Sequence, residues 1–202
     1  MEVIVITKSG KNDGEVARII ELFKQGLSGL HIRKPRLKKS EVEEYILSFP
    51  PQYRQHMVIH GHYDLAIKHG LRGVHLRRKH RDNSLRNRLR RYWLRIRKPG
   101  LTISASFHSL QSLKENHVKY DYVFLGQVMH SNSSFNPSTT ALDMLRNVII
   151  NSGQKVYAQG GITRKKLDME RAAGFHGVVL STEVLTGNES GSIESLHLFM
   201  VA

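Results

Sequence analysis

The chain of 202 residues has no cysteine, so disulfide bridges, thiolate catalysis and thiolate zinc sites are excluded. A reducing compartment is compatible with that absence. No apolar run approaches the roughly 20 residues that span a bilayer. The opening MEVIVITKSG lacks the basic n-region and apolar length of a signal peptide. Together these features predict a soluble, cytoplasmic protein without a membrane partner. Acidic residues are also scarce, 17 Asp+Glu against 31 Lys+Arg, for a net charge of +14. The excess is local. Residues 72–98 hold 12 basic side chains and one acid, Asp82, a balance of +11; the rest carries +3.

No linker or low-complexity tract divides the chain, and its length suits one domain, residues 1–202. Short β-branched runs alternate with stretches of helical period. The runs are Val3–Thr7, Gly29–Arg33, Met57–His60, Gly73–Leu76, Leu101–Ala105, Tyr122–Leu125, Lys155–Ala158 and Gly177–Leu180. Helices are expected near 14–25, 40–48, 64–69, 84–96, 109–117, 139–150, 163–173 and 189–200. Ser40 with Glu43 reads as a capping box, Asp64 as a cap, and Asn83 or Ser84 as another. In the fourth helix Leu85, Leu89, Tyr92 and Ile96 share one face and arginines fill the others. Pro99-Gly100 should end it, and Gly26, Gly70 and Gly174 should turn helices into strands. Eight strand–helix units at about 25 residues each predict an α/β fold, a single (βα)8 TIM barrel. The competing doubly wound sheet requires a glycine fingerprint after the first strand, where this chain reads KSGKNDG.

In such a barrel, chemistry collects where strands end. His31 and Arg33, His60 and His62, His75, His108 and His130 stand at those positions, so five successive strands bring histidine to one face. His60-Gly61-His62 resembles a metal-binding pair, but no acid ends any strand to complete a charged shell, and no metal ligand is assigned. Gly160-Gly161-Ile162-Thr163 opens into a helix after the seventh strand, and Ser181 and Thr182 follow the eighth. Together they predict a phosphate site at Gly160, Gly161, Ser181 and Thr182. The polar segment His130–Ser138 is a candidate lid.

Five blocks, in order, resemble the thiamin phosphate synthases and their paralogues, the thiazole tautomerases. They are HIRKP (31–35), DLA with GVHL (64–76), SFHSL (106–110), DYVFLG (121–126), and AQGGIT with AGFHGVVLST (158–182). The resemblance implies a (βα)8 barrel acting on phosphorylated thiazole, with His108 as general acid/base. It implies substrate contacts from His31, Arg33, His60, Ser106, His130, Ser131 and Ser133.

The chain departs from the synthase pattern at several points. The synthase's Q-x-R-x-K clamp becomes His31, Arg33 and Pro35, with Lys34 or Arg36 as the available replacement cations. Its Asn-Asp pair becomes His60-Gly61, its second magnesium carboxylate falls at His80, and its loop lysine is lost beside Ser131–Ser134. Losing these groups favours the tautomerase, which isomerises thiazole carboxylate phosphate and needs no cofactor. The alternatives are the synthase, which joins hydroxymethylpyrimidine diphosphate to thiazole phosphate, releases pyrophosphate and uses Mg²⁺, and a non-catalytic paralogue that binds a phosphorylated ligand. The resemblance suggests a homodimer, although no pattern in the chain shows one. Nucleic-acid binding through the arginine-rich helix is not expected, because no recognition motif accompanies it.

Overall fold

A computed structural model describes residues 1–7, 9–10, 13–126, 139–160, 171 and 173–182. The strands are β1 (Glu2–Ile6), β2 (Gly29–Ile32), β3 (Met57–Ile59), β4 (Gly73–Leu76), β5 (Thr102–Phe107), β6 (Tyr122–Gly126), β7 (Lys155–Gln159) and β8 (Gly177–Ser181). All neighbours pair in parallel, and β8 closes onto β1 through the register Glu2↔Gly177 to Ile6↔Ser181. The expected TIM barrel is therefore present, with each strand within two residues of its predicted bounds. The helices are α1 (Glu15–Lys24), α2 (Lys39–Leu47), α3 (Asp64–Lys68), α4 (Leu85–Arg97), α5 (Leu110–Lys114) and α6 (Thr139–Asn151). Those expected near 163–173 and 189–200 lie outside the described residues, apart from residues 171 and 173.

Side-chain alternation divides each strand between two environments. Val3, Val5, Leu30, Ile32, Val74, Leu76, Val123 and Leu125 face outward and form the main core with Ile19, Leu22, Ile46 and Leu65 of the helices. Ile4, Ile6, Tyr122, Phe124, Tyr157 and Val179 form a separate cluster inside the barrel. The rest of that interior is polar: His31, His75 and Ser104 are all buried. Close strand packing uses glycine where a methyl would not fit. A Cβ on Gly73 or Gly177 would collide with the backbone of Thr102 or Glu2. Gly26, Gly70 and Gly174 turn helices into strands at φ of 96°, 66° and 84°, as expected.

The caps differ from the sequence reading. Lys38, not Ser40, precedes α2, and Glu41 accepts from its backbone N–H at 2.8 Å. Glu43 instead binds Lys68 and His69, at 2.6 and 2.5 Å. Asp64 lies within α3 and pairs with Lys39 at 2.5 Å. Before α4, Asp82 organises the turn by accepting from the Ser84 backbone and hydroxyl and from Asn87. These bonds, led by the Ser84 hydroxyl, lower its carboxyl pKa to about 2.

Helix α4 turns its apolar stripe away from the barrel. Asn87 and Leu94, two turns apart, are its buried residues, whereas Leu85, Leu89, Tyr92 and Ile96 are 57–69 % exposed. The barrel takes the side carrying Asn87, Arg90, Arg91 and Leu94, and the apolar stripe faces outward. The side facing the barrel is fixed by Asn87, whose side-chain amide donates to the Lys79 carbonyl at 3.0 Å and to the Asp82 carboxylate at 2.7 Å. Leu94→Ala should therefore cost about 2–5 kcal/mol, and Leu89→Gln less than about 0.5 kcal/mol. Urea denaturation of both variants checks this, and equal losses would contradict the orientation.

Candidate functional site

The C-terminal strand ends surround a cavity of about 620 Å³, lined by Ile6, Arg33, Pro35, His60, His75, Leu76, Arg77, Arg78, Ser106, His108 and Gln159. Four residues assigned from sequence, Arg33, His60, Ser106 and His108, meet there. His31 lies just below, inside the barrel and 1 % exposed. Gly160 follows β7 at φ 86°, and Ser181 ends β8 beside Ile6. Thr182 is buried and donates to Glu15 at 3.0 Å. His130, Ser131, Ser133, Gly161 and the candidate lid lie outside the described residues.

The floor carries two hydrogen-bonded runs. His60 Nε2 meets His31 Nδ1 at 2.9 Å, and His31 Nε2 meets the Tyr122 hydroxyl at 2.7 Å. Across the lumen, His75 Nδ1 meets Ser104 Oγ at 2.9 Å and His75 Nε2 meets Ser106 Oγ at 2.8 Å. The His60 and His75 rings stack at 4.2 Å between centroids, and His31 meets both edge-on at 5.1 and 5.4 Å. Burial, reinforced by neighbouring cationic groups, pushes His31 and His60 well below the ordinary imidazole range and His75 to about 3. All three rings are neutral near pH 7.

His62 is set apart from this group. Strand β3 stops at Ile59, and His62 takes a left-handed φ of 45°, so the strand geometry that would align it with His60 is absent. It lines a separate small cleft with Lys34, Gly61 and Arg77.

The basic loop after β4 has divided roles. Arg77 and Arg78 line the cavity, and Arg77 Nε donates to the His60 carbonyl at 3.2 Å. A Cβ at Gly61 would collide with that guanidinium. Arg81 instead donates to the Ser106 carbonyl and lies 4.6 Å over the Phe107 ring. His80 hydrogen-bonds the Tyr63 hydroxyl at 3.1 Å. His108 is exposed above β6, where a Cβ on Gly126 would stand 3.3 Å from its Nδ1.

Lys34 is not a cavity cation. It is buried, paired with Glu15 at 2.5 Å, and also donates to the Gly10 carbonyl at 2.7 Å. Arg36 is exposed and outside the lining. No carboxylate among the described residues lines the cavity. Magnesium prefers oxygen ligands, usually including one or two carboxylates, so the described lining does not fit it.

The family model for thiamine monophosphate synthase matches residues 3–184. The chain belongs to that family. A thiamine-phosphate synthase of Photorhabdus laumondii is 26% identical over 192 residues, covering 92% of this chain and 86% of the relative. A putative thiamine-phosphate synthase 2 of Aquifex aeolicus is 24% identical over 162 residues, covering 78% of this chain and 83% of the relative. The crystal structure of a thiamine phosphate pyrophosphorylase from Bacteroides thetaiotaomicron superposes with a TM-score of 0.75 at 25% identity, covering 99% of this chain and 96% of that one. No described helix is long and apolar enough to cross a membrane.

In this family member, His31, His60 and His75 are all among the strand-end histidines, whereas nothing in the sequence marks Ser104 or Tyr122 as their partners. The usable signal was strand parity. His31 and His75 each alternate with outward aliphatics, Leu30 and Ile32 or Val74 and Leu76. That pattern aims both imidazoles into the lumen.

Neutral burial predicts acid sensitivity. Below about 6.5 the unfolded chain's histidines take up protons that the folded rings refuse, so unfolding free energy falls as pH falls. In His75 this continues down to its folded pKa of about 3. In chelator-treated buffer, stability should drop between pH 6 and 5 by on the order of 1 kcal/mol for each neutral histidine. Urea melts of His75→Gln should show a shallower pH slope than the parent chain; an unchanged slope would contradict neutral burial.

Proposed function

We propose that this family member is a thiamine phosphate synthase in which arginines carry the electrostatic role of the missing carboxylate-bound magnesium. The observation that carries this reading is the lining of the cavity: Arg33 from the loop after β2, Arg77 and Arg78 from the loop after β4, and no described carboxylate. In the reaction, the carbon–oxygen bond of hydroxymethylpyrimidine diphosphate breaks and pyrophosphate leaves with the electron pair. The ring nitrogen of thiazole phosphate forms the new carbon–nitrogen bond. Negative charge grows on the departing diphosphate, and preorganised guanidinium groups stabilise it without proton transfer. The synthase names of the relatives support the same reading.

Two anionic subsites fit the arrangement. The arginines suit the diphosphate on the β2–β4 side, whereas Gly160 and Ser181 suit a thiazole phosphate on the β7–β8 side. The Thr182 hydroxyl, engaged by Glu15, would support that loop from below. Ser106 on β5 and His108, directly after it, stand between the subsites.

A second reading rests on the same missing carboxylates. A thiazole tautomerase would use only the phosphorylated thiazole, with His108 taking a proton from one atom and returning it to another. Two NMR-followed reactions separate the readings: protein with thiazole phosphate and pyrimidine diphosphate without added Mg²⁺, and protein with unaromatised thiazole carboxylate phosphate alone. Thiamin phosphate should form in the first, and Arg77→Met should lower kcat/KM by on the order of 10². Aromatised thiazole without thiamin phosphate, abolished in His108→Ala, would establish the tautomerase instead. Binding without turnover would leave a ligand-binding paralogue.

A further inference from the structure

We propose that His31, His60 and His75 form a three-imidazole site for a divalent transition metal of the zinc class. One ligand nitrogen from each residue lies within 4.8 Å of the other two. Tetrahedral zinc with bonds of about 2.0–2.1 Å holds its ligands about 3.3 Å apart. The His31–His60 pair, at 2.9 Å, is already slightly inside that spacing. The His60 and His75 rings, stacked at 15° between planes, must turn about their side-chain bonds for both in-plane lone pairs to meet one ion.

The surroundings match what imidazole ligands require. A metal-bound histidine usually fixes its second ring nitrogen with a hydrogen bond. Here the Tyr122 hydroxyl takes His31 Nε2 and Ser104 takes His75 Nδ1, both within the buried lumen. This leaves His31 Nδ1, His60 Nε2 and His75 Nε2 for the ion. Entry costs two contacts, His31–His60 and His75–Ser106. The rings are neutral near pH 7, as ligation demands.

The donor set selects the ion. Three nitrogens and no described carboxylate suit zinc, cobalt, nickel or copper and disfavour magnesium. Three protein ligands also leave a position open. His60 and His75 line the cavity, so a water or a substrate oxygen would reach the ion from there. The site draws on β2, the end of β3 and β4, three adjacent strands whose spacing is set by the barrel register.

The proposal does not depend on which reaction the cavity supports, because its test contains no substrate. Tag-free protein, stripped with chelator, is titrated with Co²⁺ and then Zn²⁺. One equivalent of Co²⁺ per chain should give the intense visible bands of a tetrahedral site, Zn²⁺ should displace it, and Mg²⁺ should not. Zinc should also raise the melting temperature. His60→Gln and His75→Gln should each abolish the bands, and Tyr122→Phe should weaken binding by about 10–100-fold. His62→Gln and His69→Gln should leave the spectrum unchanged. Circular dichroism verifies folding, and His60→Gln, at the rim, provides the test if His75→Gln fails to fold. No stoichiometric Co²⁺ spectrum, or one that survives in folded His60→Gln protein, overturns the proposal.

Discussion

Closure of β8 onto β1 is the constraint on which the other features depend. Five register pairs, Glu2↔Gly177 to Ile6↔Ser181, remove the last open edge and commit every strand to one tilt and one direction. The C-terminal ends then share a single face, and the inward residues of all eight strands share a narrow lumen. Elsewhere such a lumen is filled by branched aliphatics. Here Ile4, Ile6, Phe124, Tyr157 and Val179 fill part of it, and histidine, serine and tyrosine fill the remainder. Polar groups buried this deeply are tolerable only when each finds a partner. Two hydrogen-bonded runs, His60–His31–Tyr122 and Ser104–His75–Ser106, meet that requirement. The second depends on the register that sets His75 opposite Ser104 and Leu76 opposite Ala105.

The strong positive charge resolves into distinct physical roles once the fold is in place. Arg77 and Arg78 face the cavity, Arg81 fastens the loop after β4 to the end of β5, Arg90 bonds Asn87 within α4, and Arg91 ties α4 to the turn before it. Only the first pair can act on an anion in the cavity. Lys34 shows the same principle from the other side. In the sequence it is a candidate replacement for a lost cation. In the fold it is a buried partner of Glu15, which also receives Tyr45 and Thr182 and thereby links α1, α2, β2 and the end of β8. Removing either charge would strand the other in the interior, so this pair holds the loops in place and does not contact ligand.

Much of this fold was readable because parallel strands are buried on both sides and appear as short β-branched runs between turn residues. GVHL at 73–76 and YVFLG at 122–126 are such runs, and their bounds were nearly correct. Caps were harder to read, since any Ser, Asp or Asn near a helix start satisfies the local pattern. Glu41 and Asp82, which organise the observed starts, are distinguished only by where the chain enters. The fourth helix shows a deeper limit. Its period reveals an apolar stripe but not which side the barrel takes, and here Asn87 and Leu94 determine that orientation. At the site, His60 and His62 looked like natural partners because they are two residues apart. The strand ends at Ile59, so the period-two rule does not reach them. The partners of His60 come instead from residues 29 positions before it and 15 after it.

The same histidines change how the family resemblance should be weighed. The resemblance expects magnesium carboxylates at Gly61 and His80, and an asparagine at His60. His60 now lies in a nitrogen cluster, and His80 rests on Tyr63 outside it. Two physically separable consequences follow. In the proposed synthase, anion stabilisation passes to guanidinium groups, which hold their charge at any working pH and need no ion. Neutral imidazoles gather below them and have no use in neutralising a diphosphate, since uncharged rings contribute little Coulomb attraction. The arginines therefore account for binding a polyphosphate, but they do not account for three buried histidines. A lumen selected for packing alone would be filled by apolar side chains at lower desolvation cost. That unexplained cost is the reason to look for a ligand that only neutral imidazole can hold.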